Sequence, residues 1–117
     1  MVRIKRAYLP AAPRDGVRVL VDRLWPRGVS KEKARIGKWM RELGPSDELR
    51  KFFGHDPAKW EEFRRRYRKE LGGKQARAMI EELAAIAARG TLTLVYSARD
   101  ELHNQAAVLK EVIEETL

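Results

Sequence analysis

Six residues, Asp22 to Arg27, concentrate more chemistry than any other stretch of the chain: Asp22, Arg23, Trp25 and Arg27, followed by Gly28 and Ser30. Two guanidiniums so close together can fork onto a phosphate or a carboxylate. Gly28 lets backbone approach a ligand, and a helix opening at Ser30 would point free N–H groups at an anion. Asp22 is placed to orient the two arginines and, as a carboxylate, is a candidate catalytic group. Trp25 either stacks on a flat ligand or fills the core. The alternative is a salt bridge from Asp22 to an arginine that pins the loop. The pattern is neither a Walker loop nor a dinucleotide fingerprint.

A second cluster comprises Ser97, Arg99, Asp100, His103 and Asn104. Histidine changes charge near neutrality, so His103 is a candidate general acid or base. Asn104 would stand beside it as a ligand-binding residue. Ser97 lacks the turn that makes a serine nucleophilic in hydrolases. It is a further ligand-binding candidate, although Ser97 and Asp100 are better explained as caps of the helix that follows. His55-Asp56 is a third pair that could be catalytic; Asp56 reads as a helix cap, and His55 stays open. Two histidines, scattered acids and no cysteine give no metal-binding spacing. No cofactor is indicated.

These clusters need elements to position them. Val2, Ile4 and Tyr8 alternate with Arg3 and Lys5, which predicts a strand over residues 2 to 8. The β-branched run Val17 to Val21 predicts a second strand. Trp25 precedes a proline and is expected to be extended. Ile36, Trp39, Met40 and Leu43 have helical spacing, but the piece is short and bounded by glycines. Ser46 caps a helix ending near Gly54. Asp56 with Pro57 starts another over residues 57 to 71, with Trp60, Phe63, Tyr67 and Leu71 as its apolar stripe. A further helix carries Met79, Ile80, Leu83, Ile86 and Ala87 inward and stops at Gly90. Thr91 to Tyr96 is the third strand, and its apolar Leu94-Val95-Tyr96 suits a strand covered on both faces. The last helix is expected to bury Leu102, Ala106, Leu109 and Ile113, with Asp100 or Ser97 as cap.

Strand, strand, helices, strand, helix is the order of an α/β protein: a small, mostly parallel sheet flanked by helices, in one domain over residues 1–117. If the second and third strands run parallel, the Asp22–Arg27 and Ser97–Asn104 loops share one end of the sheet, where ligands of open α/β sheets sit.

The chain has 117 residues, 44% hydrophobic and 36% charged, enough apolar content for a real core. The absence of cysteine excludes a disulfide framework and thiol chemistry. No apolar run is long enough to span a bilayer, and the charged start Met1-Val2-Arg3-Ile4-Lys5-Arg6 is not a signal peptide, so a cytoplasmic protein with no membrane partner is expected. The net charge of +8 is uneven: residues 1 to 77 hold 22 Lys/Arg against 10 Asp/Glu, residues 78 to 117 hold 3 against 7. Such a field attracts anions and favours head-to-tail association into homo-oligomers at low salt. The run Arg64-Arg65-Arg66-Tyr67-Arg68-Lys69 resembles a nucleic-acid patch. On a helix, however, Glu61 faces Arg65 and Glu62 faces Arg66, so nucleic-acid binding is expected to be weak and nonspecific at most.

The stretch Asp15 to Gly28 resembles the signature of the YeaO-like family of uncharacterised bacterial and archaeal proteins. So do Pro45-Ser46-Asp47-Glu48-Leu49-Arg50, Phe53-Gly54-His55-Asp56-Pro57 with Trp60, Phe63 and Tyr67, and Thr91 to Ser97 followed by His103-Asn104-Gln105-Ala106. The likeness runs through nearly the whole chain in order. It implies a small α/β fold and, since the family is a domain of unknown function, no substrate, cofactor or catalytic residue. From the residues themselves the leading reading is an anion-accepting pocket at the strand ends, in an enzyme or a sensor. Arg23 and Arg27 would hold a small anionic molecule, and His103 with Asn104 would form the far wall. A basic nucleic-acid-associated module and a protein-interaction subunit are the rivals.

Overall fold

A computed structural model describes residues 1–117. Four strands, β1 (Val2–Arg6), β2 (Val17–Leu20), β3 (Lys38–Trp39) and β4 (Leu92–Tyr96), form one sheet in the order β1-β4-β2-β3. All three pairings are parallel. The helices are α1 (Lys31–Ala34), α2 (Asp47–Phe53), α3 (Trp60–Glu70), α4 (Lys74–Arg89) and α5 (Gln105–Thr116). This is the expected α/β architecture. No helix is long and apolar enough to cross a membrane.

β4 is central and every one of its residues is buried, as its continuous apolar run requires of a parallel strand covered on both faces. On one face Val19, Leu92, Leu94 and Tyr96 join residues of α2 to α5 in a single core. Phe63, Tyr67 and Leu71 from α3 and its end, Ile80, Leu83 and Ala87 from α4, and Ala106, Leu109 and Ile113 from α5 fill it. The buried Tyr67 hydroxyl donates to the Leu43 carbonyl at 2.5 Å, which satisfies its one polar group. On the opposite face Ala7, Leu20 and Val95 form a smaller cluster, roofed by Trp25, Val29, Ile36 and Trp39.

Local chemistry explains the boundaries. The Ser30 and Ser46 hydroxyls cap α1 and α2 by accepting the N–H groups of Lys33 and Leu49. Gly54 leaves α2 in the left-handed conformation. Asp56 caps a 3-10 turn at Pro57–Lys59 that leads directly into α3.

One ambiguity is resolved and three expectations are corrected. Residues 36 to 44 are not a helix: Lys38 and Trp39 pair with Val19 and Leu20 as an edge strand, and a 3-10 turn follows at Arg41–Leu43. The helical spacing of their apolar residues reflects two separate contacts, Met40 and Leu43 to the main core and Ile36 and Trp39 to the small cluster. The cap of α5 is Asn104, whose side chain accepts the Ala107 N–H at 2.9 Å, rather than Asp100 or Ser97. α5 therefore starts later than expected, and Leu102, in the loop before it, is exposed. The first strand ends at Arg6, leaving Tyr8 in the following turn.

Candidate functional site

Because β2 and β4 are parallel neighbours, their carboxyl ends open at the same edge of the sheet. The loops that leave them meet there. They line a cleft of about 470 Å³ together with Tyr8, Pro45, Arg50, Phe53, His55 and Phe63.

Asp22 joins the two loops. One carboxylate oxygen accepts the Ser97 N–H at 3.0 Å and the other accepts the Gln105 side-chain amide. The residue is buried, and loss of water pushes its pKa up; the hydrogen bonds from Ser97 and Gln105 and the charge of Arg50 work against that rise. Each oxygen keeps lone-pair capacity beyond these bonds.

Arg23 and Arg27 differ in kind. The Arg23 guanidinium donates to the carbonyls of Pro45 (2.7 Å) and Gly44 (3.0 Å), clasping the loop that precedes α2. Gly44 is required there, since a Cβ at that position would stand 2.8 Å from Arg23 Cγ. Arg27 is fixed only through its backbone carbonyl, which accepts the Tyr8 hydroxyl at 3.1 Å; its guanidinium has no protein partner. Asp22 orients neither arginine by a hydrogen bond. Trp25 lines the cleft, donates its indole N–H to the Val29 carbonyl and meets Trp39 edge-on with ring centroids 5.6 Å apart.

In the second loop Asp100 is the organiser. One of its oxygens accepts the N–H groups of Leu102 and His103, and the other lies 2.9 Å from His103 Nδ1. The hydrogen bond from His103 is the main reason that the Asp100 carboxyl is held below its ordinary range. The His103 ring packs edge-on against Trp60 at 5.2 Å, with Nδ1 engaged, leaving Nε2 as its remaining polar atom. The Asn104 side chain is committed to the backbone at both ends, donating to the Asp100 carbonyl and capping α5. The Ser97 and Ala98 carbonyls accept the Arg6 guanidinium, so β1 anchors this loop as well.

All seven residues singled out in the sequence, Asp22, Arg23, Trp25, Arg27, Ser97, His103 and Asn104, line this one cleft. Four others escaped that reading. Arg50 reaches the cleft through the packing of α2, and no short-range pattern marks it; His55 had only its neighbour Asp56 as a signal. Tyr8 was placed in a strand. Gln105 had a signal: it is one of only three amide side chains in the chain and adjoins another, Asn104.

The basic run on α3 is largely neutralised. Arg64 and Arg68 pair with Glu111, Arg68 also with Glu115, and Arg65 and Arg66 both with Glu62. Glu61, expected opposite Arg65, takes no part.

A parallel α/β domain with a polar cleft at the carboxyl edge of its two inner strands is the class of protein that these features define. The chain belongs to the inactive DUF488-N3 subclade, whose family model matches residues 1–117. It is similar to the uncharacterized protein YeaO of Escherichia coli K12, 42% identical over 110 residues that make up 94% of each chain. It is also similar to the uncharacterized protein Rv3073c of Mycobacterium tuberculosis H37Rv, 40% identical over 112 residues, 96% of this chain and 92% of that one. The YeaO-like resemblance of the sequence is thus the right one. No solved structure matches the chain.

Proposed function

We propose that the cleft binds a small anionic molecule and that the protein is a binder or sensor of that molecule rather than a catalyst. The observation that carries this reading is Arg27, an exposed residue of the cleft lining whose guanidinium has no protein hydrogen-bond or ion-pair partner. Arg50 lines the same cleft, with one nitrogen bonded to Asp47 at 2.6 Å and its other donors uncommitted. Guanidiniums with spare donors are suited to phosphate and carboxylate. Arg23 contributes charge and holds the wall in place. His103, steadied by Asp100, and the buried Asp22 supply polar contacts. In an enzyme these two would be the acid–base pair; the word "inactive" in the subclade's description favours binding over turnover.

The neutralised face of α3 gives little support to a nucleic-acid role, since the arginines that would track a phosphate backbone are spent on Glu62, Glu111 and Glu115. An anion screen by thermal shift tests the proposal. A ligand at about a hundred times its Kd raises stability by about 2.7 kcal/mol. That gain should shrink in Arg27→Ala. A screen in which no phosphate- or carboxylate-bearing compound raises Tm would refute it.

A further inference from the structure

Both histidines of the chain, His55 and His103, line the same cleft, although they come from different loops. Both also rest on one aromatic cluster. The His55 ring lies 6.2 Å from Phe53, Phe53 lies 6.0 Å from Trp60, and Trp60 meets His103 edge-on at 5.2 Å.

The backbone of His55 adds a second observation. Its φ is +57°, directly after Gly54 at +53°. Histidine adopts this region more readily than most residues, but glycine is the unstrained choice. A turn that served only to link α2 to the next cap would lose nothing with glycine at position 55. The imidazole is held there at a backbone cost, as groups at binding sites often are. Neither of its ring nitrogens has a protein hydrogen-bond partner; the ring simply leans on Phe53 at the cleft wall.

The charges around the pair set the kind of anion. Arg23, Arg27 and Arg50 bring three fixed positive charges to the cleft lining, and the two imidazoles add polar nitrogens. The acids nearby are Asp100 and Asp22, and Asp56 beside His55; Asp47 pairs with Arg50. A single carboxylate needs less positive charge than this. A phosphate monoester carries between one and two negative charges at neutrality and three acceptor oxygens. At the other side, Asp22 offers spare acceptor capacity to a hydroxyl.

We propose that the ligand of the cleft is a phosphate monoester of a small hydroxylated molecule, with its phosphate gripped by His55, His103, Arg27 and Arg50 and a hydroxyl donated to Asp22. This rests on the anion-binding reading above and adds its chemical class and a residue, His55.

Calorimetric titration of the full chain with glycerol 3-phosphate, malate and sulfate tests it, using wild type, His55→Gly and His55→Asn. Both variants suit a left-handed position, and His55→Gly should match or exceed wild type in Tm. Glycerol 3-phosphate should bind at least about tenfold tighter than malate, and each variant should lose about tenfold. Sulfate has no hydroxyl to offer Asp22 and should bind more weakly than glycerol 3-phosphate, and its affinity should also fall in His55→Asn. Malate binding as tight as glycerol 3-phosphate, or variants that bind like wild type, would overturn this proposal and leave the anion cleft standing. If none of the three anions binds, the anion cleft itself falls, and this proposal with it.

Discussion

The Asp22 carboxylate accepts the Ser97 N–H at 3.0 Å, joining the loop that leaves β2 to the loop that leaves β4. The bond ties the two loops together, and Asp22 is buried where they meet. Burial raises the folded-state pKa above the unfolded one. The native chain therefore binds the proton first as pH falls. The contribution of Asp22 to stability is greatest below its unfolded pKa and is lost as pH rises through the folded one. Asp22→Asn keeps an acceptor for Ser97 and removes the charge. Chemical unfolding should show it at least as stable as wild type at neutral pH, with this component of the pH dependence gone.

Arg23 and Arg27 should separate cleanly. Removing the Arg23 clasp on Gly44 and Pro45 in Arg23→Ala should lower stability by about 2 kcal/mol, since hydrogen bonds from a charged donor are lost. Arg27→Ala should stay within about 0.5 kcal/mol of wild type. Urea denaturation of the two variants decides the matter. Equal losses would mean that Arg27, too, is a structural tie.

The fold was legible where one periodicity dominates a segment. The run Leu92 to Tyr96, the stripe Phe63-Tyr67-Leu71 and the caps Ser30, Ser46 and Asp56 each carry their own local cause. β3 was not legible, because two residues have no period and their neighbours divide between the two faces of the sheet. The cap of α5 falls on Asn104 instead of Asp100 or Ser97, because all three have suitable side chains and the sequence puts Asn104 inside the first turn. Only the bond of Asn104 to Ala107 distinguishes them. The cleft was half legible. Its two loops follow apolar strands, but the Arg23 clasp falls on backbone carbonyls, which have no sequence signature. Arg50 enters through tertiary packing alone.

Asp15 should prove the most costly acid to remove. It is fully buried and binds Arg18 at 2.7 Å and Lys5 at 3.0 Å. Burial pushes its carboxyl up, but the bonds from Ala12, Lys5 and Arg18 outweigh that and hold it below the ordinary range. Its stabilisation is present above the unfolded pKa and is lost as pH falls through the folded one. Asp15→Ala would leave the Arg18 charge buried beside Lys5, an expected loss of about 3–5 kcal/mol in a denaturation curve.

Two glycines with positive φ should respond differently to alanine. At Gly16, φ is +64° and a Cβ would stand 2.2 Å from the Thr91 carbonyl oxygen, which accepts the Val17 N–H. Gly16→Ala should cost more than about 3 kcal/mol. At Gly28, φ is +79° but nothing lies within 4 Å. Gly28→Ala should cost only the backbone strain, about 1–2 kcal/mol. Thermal melts of the pair compare them directly.

The placement of β4 between β1 and β2 governs the order in which the molecule can be built. β1 and β2 lie close together in the chain, yet neither pairs with the other; residues 92–96 stand between them, as the sole partner of β1 and the longer of the two partners of β2. On a ribosome the first two strands must emerge and wait while the intervening helices are made. Until Leu92 to Tyr96 appear, Val2 to Arg6 and Val17 to Leu20 have unpaired edges. Long-range parallel pairing of this kind is slow to form, and exposed strands invite association with other chains. The pair α2 and α3, neighbours in the chain that pack together, would form early, and the sheet, with the cleft at its edge, would close as a late and concerted step.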